Sequence, residues 1–429
     1  MAHLFNGAFP GRFPCECLMS RNHRWSSGSD AFSTKFKWRA GMEKKCRSGS
    51  YVAMTLTAIA LALAFTVPSA LAAEPIMIGF TGDFSGSNAA SGVQALPAIE
   101  VVVKEVNAAG GINGRQIKLI TQDNGSDPAK AIGNVKMFKE QYHVKAIVAN
   151  TTSGVAIALR GWAEKNQIPI ISANPQSDKL WVREGKAWLL RVTMPASPRV
   201  EAALAKLKQL GYTSVAFEGA TTAWGTDTLA EVKAKAPKYG IKVVAEVLVE
   251  PKTKDLTIQA KQLKDSGAKA LIVAEYDAEG AGLARAMNYV DYKPFVIHTS
   301  AANLSESILH TDPAFFEGWS VLQEVDPTKP EVINVWKKIK DHTGKAPIEN
   351  EEGPRAWDSM ALLIEAIKAG GNPEDSVAIR DGFYKIKDYK WVFGRQGSKG
   401  GFKEGKNHLL DIDDLVEYNV RNGKLVRAK

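Results

Sequence analysis

The sequence predicts an α/β protein built from two doubly wound lobes. From Glu74 onward, short apolar runs alternate with longer segments of helical spacing, the rhythm of βαβ units. Runs such as KAIVAN, KALIVAEY and TSVAFEG are apolar throughout, as parallel strands covered by helices on both faces require. The strand candidates number about ten, too many for one such sheet of ordinary size. A chain of 429 residues, 45% of them hydrophobic, has enough apolar material for two cores.

The strand candidates are 76–80, 116–122, 146–149, 169–172 and 188–192, then 214–217, 242–249, 270–274, 295–298 and 319–323. Helical spacing marks 94–107, 128–141, a segment from Gly154, 196–210, 224–239, 256–266 and 279–289. Gly110-Gly111 supplies the positive φ that ends the first helix, and Asn113-Gly114 turns the chain into the next strand. Asp127 before Pro128 reads as a cap with proline in the first turn. Residues 191–195 follow five strands and form a natural first crossing between lobes. After residue 323 the pattern becomes helical (330–342, 354–369, 373–385), each segment with a proline near its first turn. The tail, 400–426, reads as strands joined by turns, with Asn422-Gly423 a hairpin signal.

The apolar run 52–67 is about 16 residues long, short of the roughly 20 that span a membrane. Lys44, Lys45 and Arg47 precede it and Ser69-Ala70-Leu71-Ala72 follows, which predicts a signal peptide over 42–72 cleaved near Ala72/Ala73. Residues 1–41 lack apolar periodicity and read as an upstream translation artefact, with Met42 as the start. No cysteine follows the apolar run, so no lipid anchor is expected. Residues 1–72 hold nine Lys/Arg, three Asp/Glu and all three cysteines (Cys15, Cys17, Cys46). Removing them takes the 55 basic and 46 acidic residues to 46 and 43, a net charge of +3 in place of +9. The case for a nucleic-acid partner goes with that charge, and thiol chemistry goes with the cysteines.

Neither a P-loop, a G-x-S-x-G elbow nor an H-E-x-x-H helix occurs in the sequence. His143, His298, His310, His342 and His408 are scattered without metal-ligand spacing, and Thr81–Gly86 lacks the glycine order of a dinucleotide loop. Asp413/Asp414, Glu351/Glu352 and the lysine-rich helix faces around Lys233–Lys238 and Lys337–Lys340 read as solvated surface. An exported two-lobed α/β chain without catalytic, metal or cofactor motifs points to a receptor for a small solute, not an enzyme.

The segment 76–138 resembles the opening of type I periplasmic solute-binding proteins, and more narrowly the leucine/isoleucine/valine-binding family of ABC transporters. The matching pieces are Phe84–Gly86, the turn Asn107–Arg115, Asp123–Pro128, Ile168–Ser172, Ala223-Trp224-Gly225, Phe316-Glu317-Gly318 and Asn422-Gly423-Lys424, in order along the chain. The resemblance implies two Rossmann-like lobes joined by a three-segment hinge that closes on a ligand. Lobe 1 would comprise 73–193 plus about 324–410, and lobe 2 would comprise 194–323 plus about 411–429. It further implies a periplasmic monomer that delivers its solute to a membrane ABC permease, with no cofactor.

In open parallel sheets ligands bind at the carboxyl ends of strands, beside helix N-termini. Carried over by position, the family pattern puts Asp83, Phe84 and Ser85, the triplet Thr151, Thr152 and Ser153, and Asn174 and Gln176 in lobe 1. Lobe 2 contributes Trp224 as an aromatic lid, Tyr276 with Asp277, and Ser300. The Thr151–Ser153 hydroxyls and adjacent N–H groups suit a carboxylate, or one of them caps the helix that follows. Amino-acid binders of this family hold the α-carboxylate with a Ser/Thr in the loop that reads here as Ala173–Ser177. They hold the ammonium with an acid that falls near Ser300 in this chain. Neither feature is clean, so Asp277 or Asp83 must replace that acid or the solute lacks an ammonium. The family label gives a branched-chain or related amino acid; the rival is a solute without an amino group, an aromatic or aliphatic acid or an amide, its body against Trp224, Phe84 and Tyr276, and a chemosensory ligand receptor is the alternative to transport.

Overall fold

Apolar runs that alternate inward and outward along a parallel strand need cover on both faces, and the chain supplies it twice. The computed structural model describes residues 73–428; the segments 1–41 and 42–72, read as artefact and signal peptide, lie outside the described residues. The first sheet is all parallel, in the order β2 (Ile117–Asp123), β1 (Ile76–Gly82), β3 (Ile147–Asn150), β4 (Ile170–Ser172) and β5 (Leu189–Arg191). Its crossover helices are α1 (Ala89–Ala108), α2 (Pro128–Glu140) and α3 (Ser153–Asn166). Asp127 caps α2 by accepting the Ala129 and Lys130 N–H groups, with Pro128 in the first turn.

The second sheet contains β6 (Ser214–Ala220), β7 (Lys242–Val249), β8 (Ala270–Ala274), β9 (Phe295–His298) and β10 (Ser320–Gln323), all parallel to one another. Around it lie α4 (Ala196–Gln209), α5 (Ala223–Lys235), α6 (Thr257–Asp265), α7 (Asp277–Tyr289) and α8 (Ala301–Leu309). The chain then returns to the first lobe, where α9 (Pro330–Thr343), α10 (Glu352–Gly370) and α11 (Ser376–Lys385) share a core with α1 and one face of the first sheet. A short ribbon, β11 (Tyr389–Lys390) with β12 (Lys399–Gly400), follows. The hairpin β13 (Val416–Arg421) and β14 (Lys424–Arg427) closes the chain as the antiparallel edge of the second sheet. Asn422 and Gly423, at φ 50° and 72°, make its two-residue turn.

Three elements differ from their sequence expectation. α1 starts at Ala89, five residues before the apolar periodicity, and runs through Pro97, whose lost N–H would have bonded Val93 on the exposed face. α5 stops at Lys235, because Pro237 turns the rest of that segment into a 3-10 turn, Ala236–Tyr239. α8 was not foreseen at all: nine residues with Ser300 as the cap are too short to establish a period.

The chain passes between the sheets after β5, after β10 and before β13, and one buried acid gathers the first two passages. Glu324 follows β10; its carboxylate accepts the Thr193 hydroxyl (2.8 and 2.9 Å) and the Met194 N–H (2.8 Å) from the first passage. It pairs with Arg199 of α4 at 2.7 Å and lies 3.7 Å from Arg355 of α10, which is itself paired to Glu351. All four side chains are fully withdrawn from water. Removing the shared partner leaves two buried guanidinium groups undercompensated, so Glu324→Ala is expected to cost roughly 3–5 kcal/mol. The measurement is the urea unfolding midpoint, and Glu324→Gln, which can still accept from Thr193, should recover part of the loss.

Candidate functional site

Parallel strands deliver their following loops to one edge, and here the two carboxyl edges face each other across a cleft. A cavity of about 20 Å³ lies there, lined by Asn88, Thr151, Thr152, Ser153, Asn174, Gln176, Trp224, Tyr276, Ser300 and Asn303.

The first-lobe wall is set by hydrogen bonds that fix each loop to its neighbour. Asp83, just past β1, is completely buried; one of its oxygens accepts the Asn88 amide (3.0 Å) and the Thr152 N–H (2.9 Å). Burial lifts its carboxyl to about 7, against the pull of those two donors. Gly92 permits this approach, since a Cβ there would stand 2.1 Å from the Asp83 carbonyl oxygen. Ser153 Oγ accepts the N–H groups of Gln176 and Ser177, both at 3.1 Å, and buried Arg191 donates to the Ser177 carbonyl at 2.8 Å. Ser91 Oγ accepts from Asn150 and Asn174 and donates to Glu352 at 2.7 Å. The Asn174 carbonyl oxygen in turn accepts from Arg355, which ties the cavity wall to the ion pairs at the lobe crossings.

The second-lobe wall is three helix N-termini. Trp224 lies in the first turn of α5, and its ring tilts against Tyr276 at 5.3 Å between centroids. Tyr276 precedes α7, and burial pushes its phenol above the ordinary range. Ser300 caps α8, its hydroxyl accepting the Asn303 N–H at 3.4 Å, while its own N–H donates to His298 Nδ1 at 3.0 Å. Burial lowers His298 to about 3, so the ring is a neutral acceptor. Together with α3, four helix N-termini meet the cavity. Thr151 Oγ1, Gln176 Oε1 and Trp224 Nε1 are buried there without a partner in the protein.

Eight of the twelve residues expected from the sequence therefore line one cavity. Four do not. Asp83 stands behind the wall as a buttress. Phe84 packs into the first-lobe core, edge-on to Phe80 at 5.6 Å, and Ser85 bonds Asp123 at 2.6 Å. The Asp277 carboxyl turns to His310, 3.2 Å away. Asn88 and Asn303 were missed. Asn88 falls in the opening loop, where the family motif drew attention to Phe84–Gly86, and Asn303 sits on the unforeseen α8. Among the described residues no group of three or more His, Cys, Asp or Glu is arranged to hold a metal.

Two lobes with a cavity at their facing strand ends form the architecture of a solute-binding cleft. The chain matches the periplasmic binding protein family over residues 75–409 and belongs to it. The family is one of solute-binding proteins. A Leu/Ile/Val-binding protein homolog 8 of Brucella abortus (strain 2308) is 23% identical over 391 residues, covering 86% of this chain and 93% of that protein. The branched-chain amino acid transporter substrate binding protein LivJ of Streptococcus pneumoniae, solved with isoleucine, superposes with a TM-score of 0.70 at 22% identity, over 83% of this chain and 99% of that one. A fatty acid ABC transporter substrate-binding protein of Thermomonospora curvata does so at 0.69 and 16% identity, over 83% and 92%.

Behind the Tyr276 wall, Glu218 of β6 and Glu275 after β8 are fully buried with no cation paired to either among the described residues. Burial raises Glu218 to about 7, and burial together with the Glu218 charge holds Glu275 well above its ordinary value. The folded state thus keeps protons that the unfolded chain releases near pH 4.5, and this stabilisation is present at low pH and lost as pH rises through about 7. The urea midpoint is expected to fall over that interval, and Glu218→Gln should flatten the decline.

Proposed function

We propose that this chain is an exported receptor that captures a small solute in the interlobe cavity and hands it to a membrane ABC permease. We further propose that the solute bears a carboxylate and no ammonium group. One observation carries the ligand reading: helix N-termini reach the cavity from both lobes, and among the described residues no acidic side chain lines it. Helix N-termini favour an anion, so a carboxylate suits the start of α3 beside the Thr151 hydroxyl. An ammonium closed into the same cleft would have no carboxylate partner, since Asp83 is walled off and Asp277 faces His310; such a charge is costly to bury. The Trp224 and Tyr276 rings suit an apolar body. The branched-chain amino acid reading draws its support from LivJ with isoleucine; the fatty acid receptor shares the fold equally well.

Leucine and 4-methylpentanoate differ only by the amino group, so they separate the two readings. In a thermal-shift assay on protein refolded to remove carried-over ligand, saturation at 100 times Kd adds about 2.7 kcal/mol. 4-Methylpentanoate or phenylacetate is expected to stabilise the protein and leucine is not; the reverse result assigns the amino acid instead. Trp224→Ala is expected to weaken binding about tenfold while leaving the circular dichroism spectrum intact. The exported protein should begin near Ala73 on N-terminal sequencing, and a start before about residue 60 contradicts the signal peptide.

A further inference from the structure

Two acids of the second lobe reach across the cleft, and their surroundings are opposite in character. Asp227 of α5 accepts the Ser177 hydroxyl and pairs with Lys179 at 2.7 Å, at a rim where that lysine is two-thirds exposed. Glu306 of α8 is 2% exposed, and among the described residues its Oε1 accepts from neutral donors, the side-chain amides of Gln94 on α1 and Asn350 before α10, both on the first lobe. No ion pair reaches Glu306 among the described residues. The titratable groups facing it are Glu352 from α10 and Asp277 from α7, both acids. The nearby basic side chains have partners elsewhere: Arg355 meets Glu351 and Glu324, and His310 meets Asp277.

We infer that Glu306 is a positioning residue for solute capture, a cross-cleft acid that is shut in as the neutral carboxyl, so that lobe closure takes up a proton. The inference rests on reading the cleft as the solute site. Glu306 stands one helical turn beyond Asn303, which lines the cavity, so its seat on Gln94 and Asn350 also sets where Asn303 points. Burial first, then the charges of Glu352 and Asp277, holds its carboxyl well above the ordinary range; the two amides oppose this only in part. If the lobes part, Glu306 leaves Gln94 and regains water, and its ionisation returns toward the usual carboxylate range. The closed form therefore binds the extra proton, low pH favours closure, and rising pH favours opening.

Glu306→Gln reproduces the shape of the neutral carboxyl and cannot ionise, so it separates a proton switch from a structural contact. Small-angle X-ray scattering of the protein without added solute is expected to give a larger radius of gyration at about pH 8.5 than at about pH 5 in the wild type. The Glu306→Gln protein should keep the smaller value at both. A pH response shared by both proteins, or absent from the wild type, overturns the inference. With leucine or 4-methylpentanoate as the probe, Kd should rise about tenfold per pH unit between the open and closed ionisation ranges in the wild type and stay flat in Glu306→Gln. Equal slopes overturn it as well. If neither probe binds either protein, the ligand reading fails and the scattering result still decides the role of Glu306.

Discussion

Every feature of the cleft depends on the two sheets presenting the same edge to each other, and the buried Glu324 ion pairs hold the chain segments that make them do so. A polypeptide that crosses between lobes needs its passages fixed in direction but free to twist. Glu324 takes donors from one passage, belongs to the next, and pairs with a helix from each lobe through Arg199 and Arg355. A buried ion cluster is a weak source of net stability compared with a packed apolar one, but it tolerates few geometries. Arg355 also donates to Asn174 in the cavity wall, so the pairs at the crossings share a side chain with the site they orient.

Much of the fold was legible because parallel strands covered on both faces are apolar runs, and the ten foreseen in the two main sheets are the ten observed up to β10. Pro and Gly punctuation marked Asp127-Pro128 and Asn422-Gly423 correctly for the same local reason: each dictates its own φ. What failed was whatever depended on distant partners. α8 is short, and tertiary packing of Leu304 and Ile308 holds it, so no period announces it. Phe84 and Ser85 looked like site residues because they follow a strand. Phe84 Cβ points into the core and the Ser85 hydroxyl finds Asp123, 38 residues on, and neither fact is written in the loop itself.

The cavity's chemistry follows from the same division. Side chains that line it are neutral, while the acids nearby are spent on structure: Asp83 on Asn88 and Thr152, Asp277 on His310, Glu352 on Ser91. Fixed dipoles, chiefly the four helix N-termini, supply the field in place of side-chain charges. Dipoles of this kind need no counter-ion and no rearrangement when a solute arrives.

That arrangement also sets a cost on closing without a solute. Thr151 Oγ1, Gln176 Oε1 and Trp224 Nε1 have no partner in the protein once the lobes meet. Leaving a buried polar group unsatisfied costs about 1–3 kcal/mol, so three of them together outweigh a rim contact such as the half-exposed Asp227–Lys179 pair, worth about 0–1 kcal/mol. A solute with a hydrogen-bonding head shifts the balance by satisfying those groups in the closed form, and it shifts it only to the extent that it binds the closed form better than the open one. Glu306 adds a second condition of the same kind, because its own desolvation is tolerable only with a proton in place. Two small species then favour closure independently, one filling the cavity and one on the carboxyl across the seam, and the apolar cores of the two lobes need not change for either.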